Sequence, residues 1–172
     1  MSAANTIPLV PAEQAEREQR RRNSAWPNLW EVLDKVMDPE IPVISIWELG
    51  VLQDVSCDGD TVVATITPTY SGCPAMTVIA EDIEAALTEA GYPDSRIETR
   101  LAPAWTTDWL RPAAREKLRR YGIAPPAADN DPSCPRCGSD SVKQISEFGS
   151  TACKALFQCR SCDELFDHFK QL

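Results

Sequence analysis

Leu29, Trp30, Leu33, Val36 and Met37 recur at helical spacing, so residues 28–37 are expected to form an amphipathic helix. Pro39 ends it, because a residue ahead of a proline is pushed out of the helical region. An extended segment over 41–46 is expected next. Residues 51–57 and 61–67 are β-rich and flank Asp58-Gly59-Asp60, a hairpin signal. Tyr70-Ser71-Gly72-Cys73-Pro74 is a loop leading into a helix over 75–90, which ends near Gly91. Met76, Ile79, Ile83, Ala86 and Leu87 line one face of that helix. A third strand over 96–102 and a last helix over 106–121 follow, with Pro112 tolerated near the start of a turn. Trp105 and Trp109, four apart, read as core anchors for that helix.

Past residue 121 the pattern changes. Pro125, Pro126 and Pro132 mark residues 122–133 as a semi-stiff linker. Beyond it come cysteine pairs and three short β-prone runs at 142–146, 156–159 and 165–169. The order α-β-β-α-β-α predicts an α+β fold: a small mixed α/β body over 25–121 and a separate small ribbon over 134–172. Residues 1–24 read as a mobile tail with helical tendency over 13–22. No internal repeat is visible.

Length and composition agree with this division. The 172 residues suffice for one ordinary core plus a small stapled module. With 43% apolar and 25% charged residues, the composition is that of a soluble globular protein. No apolar run approaches the ~20 residues of a membrane helix, so no membrane partner is expected. The start of the chain lacks the apolar stretch of a secretory signal.

The net charge of −9 is unevenly spread. Residues 1–24 carry four Arg and three Glu, and residues 132–172 balance five basic against five acidic groups, so residues 25–131 hold −10. A body that acidic repels a phosphate backbone, which argues against nucleic acid as a partner. It suits docking on a basic protein surface instead. Arg20, Arg21 and Arg22 form either a small docking patch for anions or, as is commoner, a solvated face.

Seven cysteines, an odd number with two Cys-x-x-Cys pairs, fit metal ligation in a reducing, cytoplasmic setting better than a disulfide framework. Cys134-Pro-Arg-Cys137-Gly138 and Cys159-Arg-Ser-Cys162 are two zinc knuckles. Four thiolates close a tetrahedral shell and leave no open position, so a structural Zn2+ is expected. Rubredoxin-like iron is the alternative, since tetrahedral sulfur accepts either metal. Cys153 stands outside the pairs, as a spare thiol near a hairpin tip or as a small buried apolar residue.

Two features of the body carry candidate chemistry. Asp38-Pro39-Glu40 fixes two carboxylates around a proline, as hard oxygen ligands or simply as a solvated helix terminator. Cys73 stands just ahead of a helix, where the dipole favours a thiolate; a buried structural cysteine is the alternative. Cys57, on a strand, reads as structural. Nucleophilic catalysis at Cys73 lacks a base, because the single histidine, His168, lies in the ribbon.

The run from Asp38-Pro39-Glu40 through Trp47-Glu48-Leu49-Gly50-Val51, followed by Thr67-Pro-Thr-Tyr-Ser-Gly-Cys73-Pro74, resembles the metal-sulfur cluster assembly domain of SufT-like and MIP-type proteins. Ala104-Trp-Thr-Thr-Asp-Trp109, Tyr121-Gly-Ile-Ala-Pro-Pro126 and Glu147-Phe-Gly-Ser-Thr-Ala-Cys153-Lys-Ala-Leu156 are similar to one branch, the PaaD family. The resemblance runs from about Leu29 to Lys170. It implies a non-catalytic accessory subunit of the 1,2-phenylacetyl-CoA epoxidase system of aerobic phenylacetate degradation. That system has a di-iron oxygenase subunit and a reductase with NADPH, a flavin and an iron-sulfur cluster. The implied task is maturing or maintaining one of these centres. The alternative is an interaction module that stabilises the complex without handling iron. Carried over by residue, Asp38, Glu40 and Cys73 become candidates for transient iron or an iron-sulfur cluster and the knuckle cysteines the Zn2+ ligands; Cys153, if a spare thiol, is an auxiliary candidate by its position alone. A homodimer is compatible with the same reading.

Overall fold

Proline and polar side chains set the helix ends more sharply than apolar spacing does. In the computed structural model, which describes residues 12–127 and 131–172, α1 (Ala12–Asn23) is followed by α2 (Pro27–Leu33). α2 stops at Leu33, short of the expected Met37, and the chain turns so that Met37 bridges antiparallel to Ser45. The segment 41–46 is not extended: Val43 and Ile44 both donate their N–H to Ile41 O, at 2.7 and 3.1 Å. Asp38 is the cause. Its Oδ1 accepts the N–H groups of Glu40 and Ile41, at 3.0 and 2.8 Å, and so offers the backbone a turn in place of a ladder.

β1 (Leu52–Asp58) and β2 (Thr61–Ile66) form the expected hairpin, and β3 (Ser95–Thr99) lies parallel to β2. Parallel pairing requires a crossover, which α3 (Ala75–Glu89) supplies. The apolar face of α3 (Ile79, Ile83, Leu87) joins Leu29 and Leu33 of α2 and Leu52, Ala64 and Ile66 of the sheet in one core. Trp30 and Trp47 meet there edge to face, 5.2 Å between centroids. The helix expected over 106–121 is broken into a 3-10 turn, Thr107–Trp109, and α4 (Pro112–Tyr121). Pro112 cannot sit inside a helix, so it opens a new one.

Residues 12–23, expected within a mobile tail, form a docked helix. Arg17 is 2% exposed. Its guanidinium donates to Trp109 O at 3.2 Å and Leu52 O at 2.9 Å, and lies over the Trp47 and Trp109 rings. Arg21 pairs with Asp34 at 3.1 Å, and Glu13 accepts the Trp109 indole N–H at 2.8 Å. Positions 13, 17 and 21 share a helix face, so one side of α1 reads the body through polar groups. The rest of the expected tail, residues 1–11, lies outside the described residues.

The ribbon is likewise not separate. β5 (Val142–Ser146), β6 (Lys154–Cys159) and β7 (Leu165–Phe169) pair antiparallel, and β4 (Ile123–Ala124) adds parallel to β7. Ile123 and Ala124, within the stretch expected as linker, are therefore buried sheet residues. Cys153 and Phe169 pack into the core of the body, with Phe169 5.9 Å from the Trp105 ring. Thr107 donates its N–H and hydroxyl to Leu172 O, at 3.2 and 3.3 Å. No helix among the described residues is long and apolar enough to cross a membrane.

Candidate functional site

The ribbon brings its four knuckle thiols together. Sγ atoms of Cys134, Cys137, Cys159 and Cys162 all lie within 4.8 Å of one another. Cys134–Cys162 and Cys137–Cys159 are 3.8 and 3.6 Å apart. A tetrahedral ion with metal–sulfur bonds of about 2.3 Å needs sulfur–sulfur edges of about 3.8 Å, so the donor set fits Zn2+. Each knuckle turns tightly: Gly138 N–H donates to Cys134 O at 2.9 Å, and Ser161 N–H donates to Cys159 Sγ at 3.4 Å. These four cysteines form a possible metal site whose two halves flank the β5–β6 hairpin in sequence and meet at its open end. His168 is no part of it. It is fully buried, its Nδ1 lies 3.4 Å from Ala124 O, its ring meets Phe157 edge to face, and burial holds its pKa down.

A second group of sulfur- and oxygen-bearing side chains meets at the seam between body and ribbon. Asp38, Glu40, Cys73 and Cys153 line one narrow pocket together with Thr69, Met76 and Phe169. Its free volume is about 10 Å³. That is at or below the room one water needs, about 10–15 Å³. Each side chain arrives by a separate local device. Asp38 is held by the two backbone N–H groups it accepts. Cys73 follows a turn in which its N–H donates to Tyr70 O at 3.2 Å, and Gly72 at φ 83° supplies the left-handed position such a turn demands. Cys153 rides on the ribbon hairpin, with Lys170 N–H donating to its carbonyl at 3.0 Å and Thr151 Oγ1 3.0 Å from its sulfur. Gly149 lets that hairpin tip fold down, because a Cβ there would collide with the Asp167 carboxylate.

The electrostatics of the pocket are those of ionisable groups drawn out of water. Burial pushes the Asp38 carboxyl above the usual range, opposed by its two backbone hydrogen bonds and by the Lys154 ammonium. Burial and the neighbouring Asp38 raise Glu40 as well. Burial also raises the Cys153 thiol, against the hydrogen bond from Thr151. Tyr70 is pushed up to about 12, by burial first and then by the Cys73 thiol beside it. Lys154 is 3% exposed, and its ammonium pairs with Asp167 at 3.4 Å.

The candidate residues therefore fall into two sets. Asp38, Glu40 and Cys73 share a pocket, joined by Cys153, and the knuckle cysteines form the other group. Among the described residues, the knuckle set has ligand atoms already close enough for an ion, and the seam set is not drawn together to that degree. Cys57 is half-buried on β1. Two seam residues escape sequence reasoning. Tyr70 was legible in retrospect, because the glycine-bearing turn at 70–73 places it beside Cys73. Lys154 carried no signal, since a lysine after a hairpin tip is ordinarily solvated.

Residues 28–98 match the iron-sulfur cluster assembly protein family, and residues 122–170 match the family described as the PaaD zinc beta ribbon domain. The chain is 48% identical over 149 residues to the protein of Escherichia coli K12 named as the D component of 1,2-phenylacetyl-CoA epoxidase, covering 83% of this chain and 90% of that one. It is 34% identical over 95 residues to the Fe-S protein maturation auxiliary factor YitW of Bacillus subtilis 168, covering 55% and 85%. A crystal structure of a domain of unknown function, DUF59, from Bacillus anthracis aligns with TM-score 0.49 and 25% identity, over 60% of this chain and 95% of that one. A body of the iron-sulfur assembly type and a four-cysteine ribbon of the PaaD type thus occur in one polypeptide, and the chain belongs to the PaaD family of phenylacetyl-CoA epoxidase components.

Proposed function

We propose that this chain is a non-catalytic accessory subunit of a phenylacetyl-CoA epoxidase system that holds iron, as an ion or a cluster, and passes it to a metal centre of a partner subunit. Family membership supports the accessory role and makes subunits of that epoxidase its partners. The 34% identity to a protein named as an Fe-S maturation auxiliary factor supports iron or cluster handling. In this reading Cys73 is the soft ligand, Asp38 and Glu40 are the hard ones, and the recipient is the reductase or the di-iron oxygenase.

One observation carries the proposal: Asp38 and Glu40 line a common pocket with Cys73, which lies far from them in sequence. One thiol with two carboxylates suits loose retention, because it offers few strong donors. The knuckle cysteines suit Zn2+, which would supply folding free energy to the ribbon and thereby hold the hairpin that carries Cys153. A groove of about 710 Å³ begins at Asp38 and runs past Val32, Met37 and Ala86, with Asp82 and Glu89 in its wall. It supports docking of a partner with apolar and basic surface beside the pocket. The same groove favours a second reading, a module that stabilises the complex without handling iron.

Purifying the partner subunits after co-expression with wild type or Cys73→Ser tests the first reading. The variant is expected to fold, keep its zinc and bind its partners, while partner iron falls at least two-fold. Fully loaded partners would refute iron delivery through Cys73 and favour the second reading.

A further inference from the structure

Cys153 sits where a core residue should be bland, yet its surroundings are not. It is 5% exposed, and it shares its pocket with the thiol of Cys73 and the carboxylates of Asp38 and Glu40. Beside it stands Lys154, a buried ammonium that pairs with Asp167 at 3.4 Å and also opposes the upward shifts of Asp38 and Glu40. Asp38 is satisfied by two backbone N–H groups and Lys154 by Asp167, and neither pairing requires a thiol at this place. The hairpin tip is folded by hydrogen bonds within the ribbon. Gly149 N–H donates to Lys154 O at 2.7 Å, Lys154 N–H to Thr151 O at 3.1 Å, and Ser150 Oγ to Asp167 at 2.8 Å. A ribbon that served only as a stable appendage would have no need to insert this tip among ionisable groups of the body.

We infer that the iron site is shared between the two domains: Cys73 of the body and Cys153 of the ribbon hairpin are its two thiolate ligands, with Asp38 and Glu40 completing the shell. This rests on the iron-handling reading above and adds to it a second ligand from the other domain. Two thiols give up their protons to solvent as ferrous iron binds; the iron stays ferrous, and no oxidant or reductant is needed. The free volume between these groups is only about 10 Å³, so the hairpin tip shifts away from Cys73 to admit iron and again to release it. The knuckle metal fixes the ribbon while its tip, at the far end of β5 and β6, moves.

The test is an anaerobic titration of the full zinc-bearing chain with ferrous iron alone, followed by thiolate-to-iron charge-transfer absorption. Wild type, Cys73→Ser, Cys153→Ser and Cys153→Ala are compared, each first checked for one zinc per chain and unchanged circular dichroism. Both Cys153 variants are expected to lose uptake at least ten-fold, as Cys73→Ser does. Uptake like wild type in the Cys153 variants, with Cys73→Ser defective, overturns the shared site and leaves the iron-handling reading standing. No uptake by wild type, or full uptake by Cys73→Ser, overturns both. Independently of any variant, bound iron should protect Cys73 and Cys153 together from iodoacetamide in the wild-type chain, read by mass spectrometry. Protection of Cys73 alone overturns the shared site.

Discussion

In the ribbon, four thiols lie within 4.8 Å of one another on two tight knuckles; at the seam, two thiols and two carboxylates surround a space too small for water. The first arrangement is complete before any ion arrives. The second has its candidate groups gathered but not converged, and in the proposed exchange only the hairpin tip moves. The difference teaches that sulfur content does not by itself define a metal site: a closed tetrahedral shell retains its ion, and the proposed iron site at the seam differs in having its groups spread across two domains.

The largest expected effect comes from removing the ribbon metal. Structural zinc contributes on the order of 10–16 kcal/mol to small metallo-domains, so a strong chelator should abolish hydrogen-exchange protection across β5, β6 and β7. Because Cys153 and Phe169 belong to the core of the body, the body should lose several degrees in Tm at the same time. A body that melts as before would break the comparison, since the seam would then be energetically unimportant. Phe169→Ala isolates that seam contact: it should cost about 3–5 kcal/mol in urea unfolding while zinc stays at one per chain.

Arg17→Met comes next, at about 3 kcal/mol, because it removes two charge-assisted hydrogen bonds to buried carbonyls and the stacking over two indoles. Fast exchange of amides 12–23 would report the released helix. Asp38→Asn should have the smallest effect on stability, and of opposite sign. Asn Oδ1 can still accept the two backbone N–H groups, while the buried charge is gone. A carboxyl whose folded pKa is raised contributes stability below its ordinary value of about 4, and that stability is lost as pH rises through the folded value. Asp38→Asn should therefore be more stable than wild type at pH 7, with the gap closing below about pH 4, and should still lose iron uptake.

Much of this was legible in the residues. The two knuckles declared themselves through spacing, and the hairpin at 58–60, the helix at 75–89 and the ribbon strands followed from periodicity. What escaped did so for physical reasons. Arg17 reads as a solvated charge until three tryptophans, 47, 105 and 109, are known to gather in one core, two of them beneath its guanidinium. Ile123 and Ala124 look like the start of a proline-rich linker because a two-residue strand leaves no periodic trace. The meeting of Cys153 with Cys73 depends on how two domains dock, which no local pattern encodes. Asp38 was singled out as a ligand, whereas its second role, folding the 38–44 turn, emerges from its hydrogen bonds.

Metal release distinguishes the two regions most directly. The chain is loaded anaerobically with ferrous iron, mixed with the metal-free partner subunits, and its iron and zinc are followed together. Iron is expected to pass to the partner while one zinc per chain stays behind. Iron and zinc leaving in concert, or iron lodging in the knuckle cysteines, would contradict a retaining ribbon and a releasing seam.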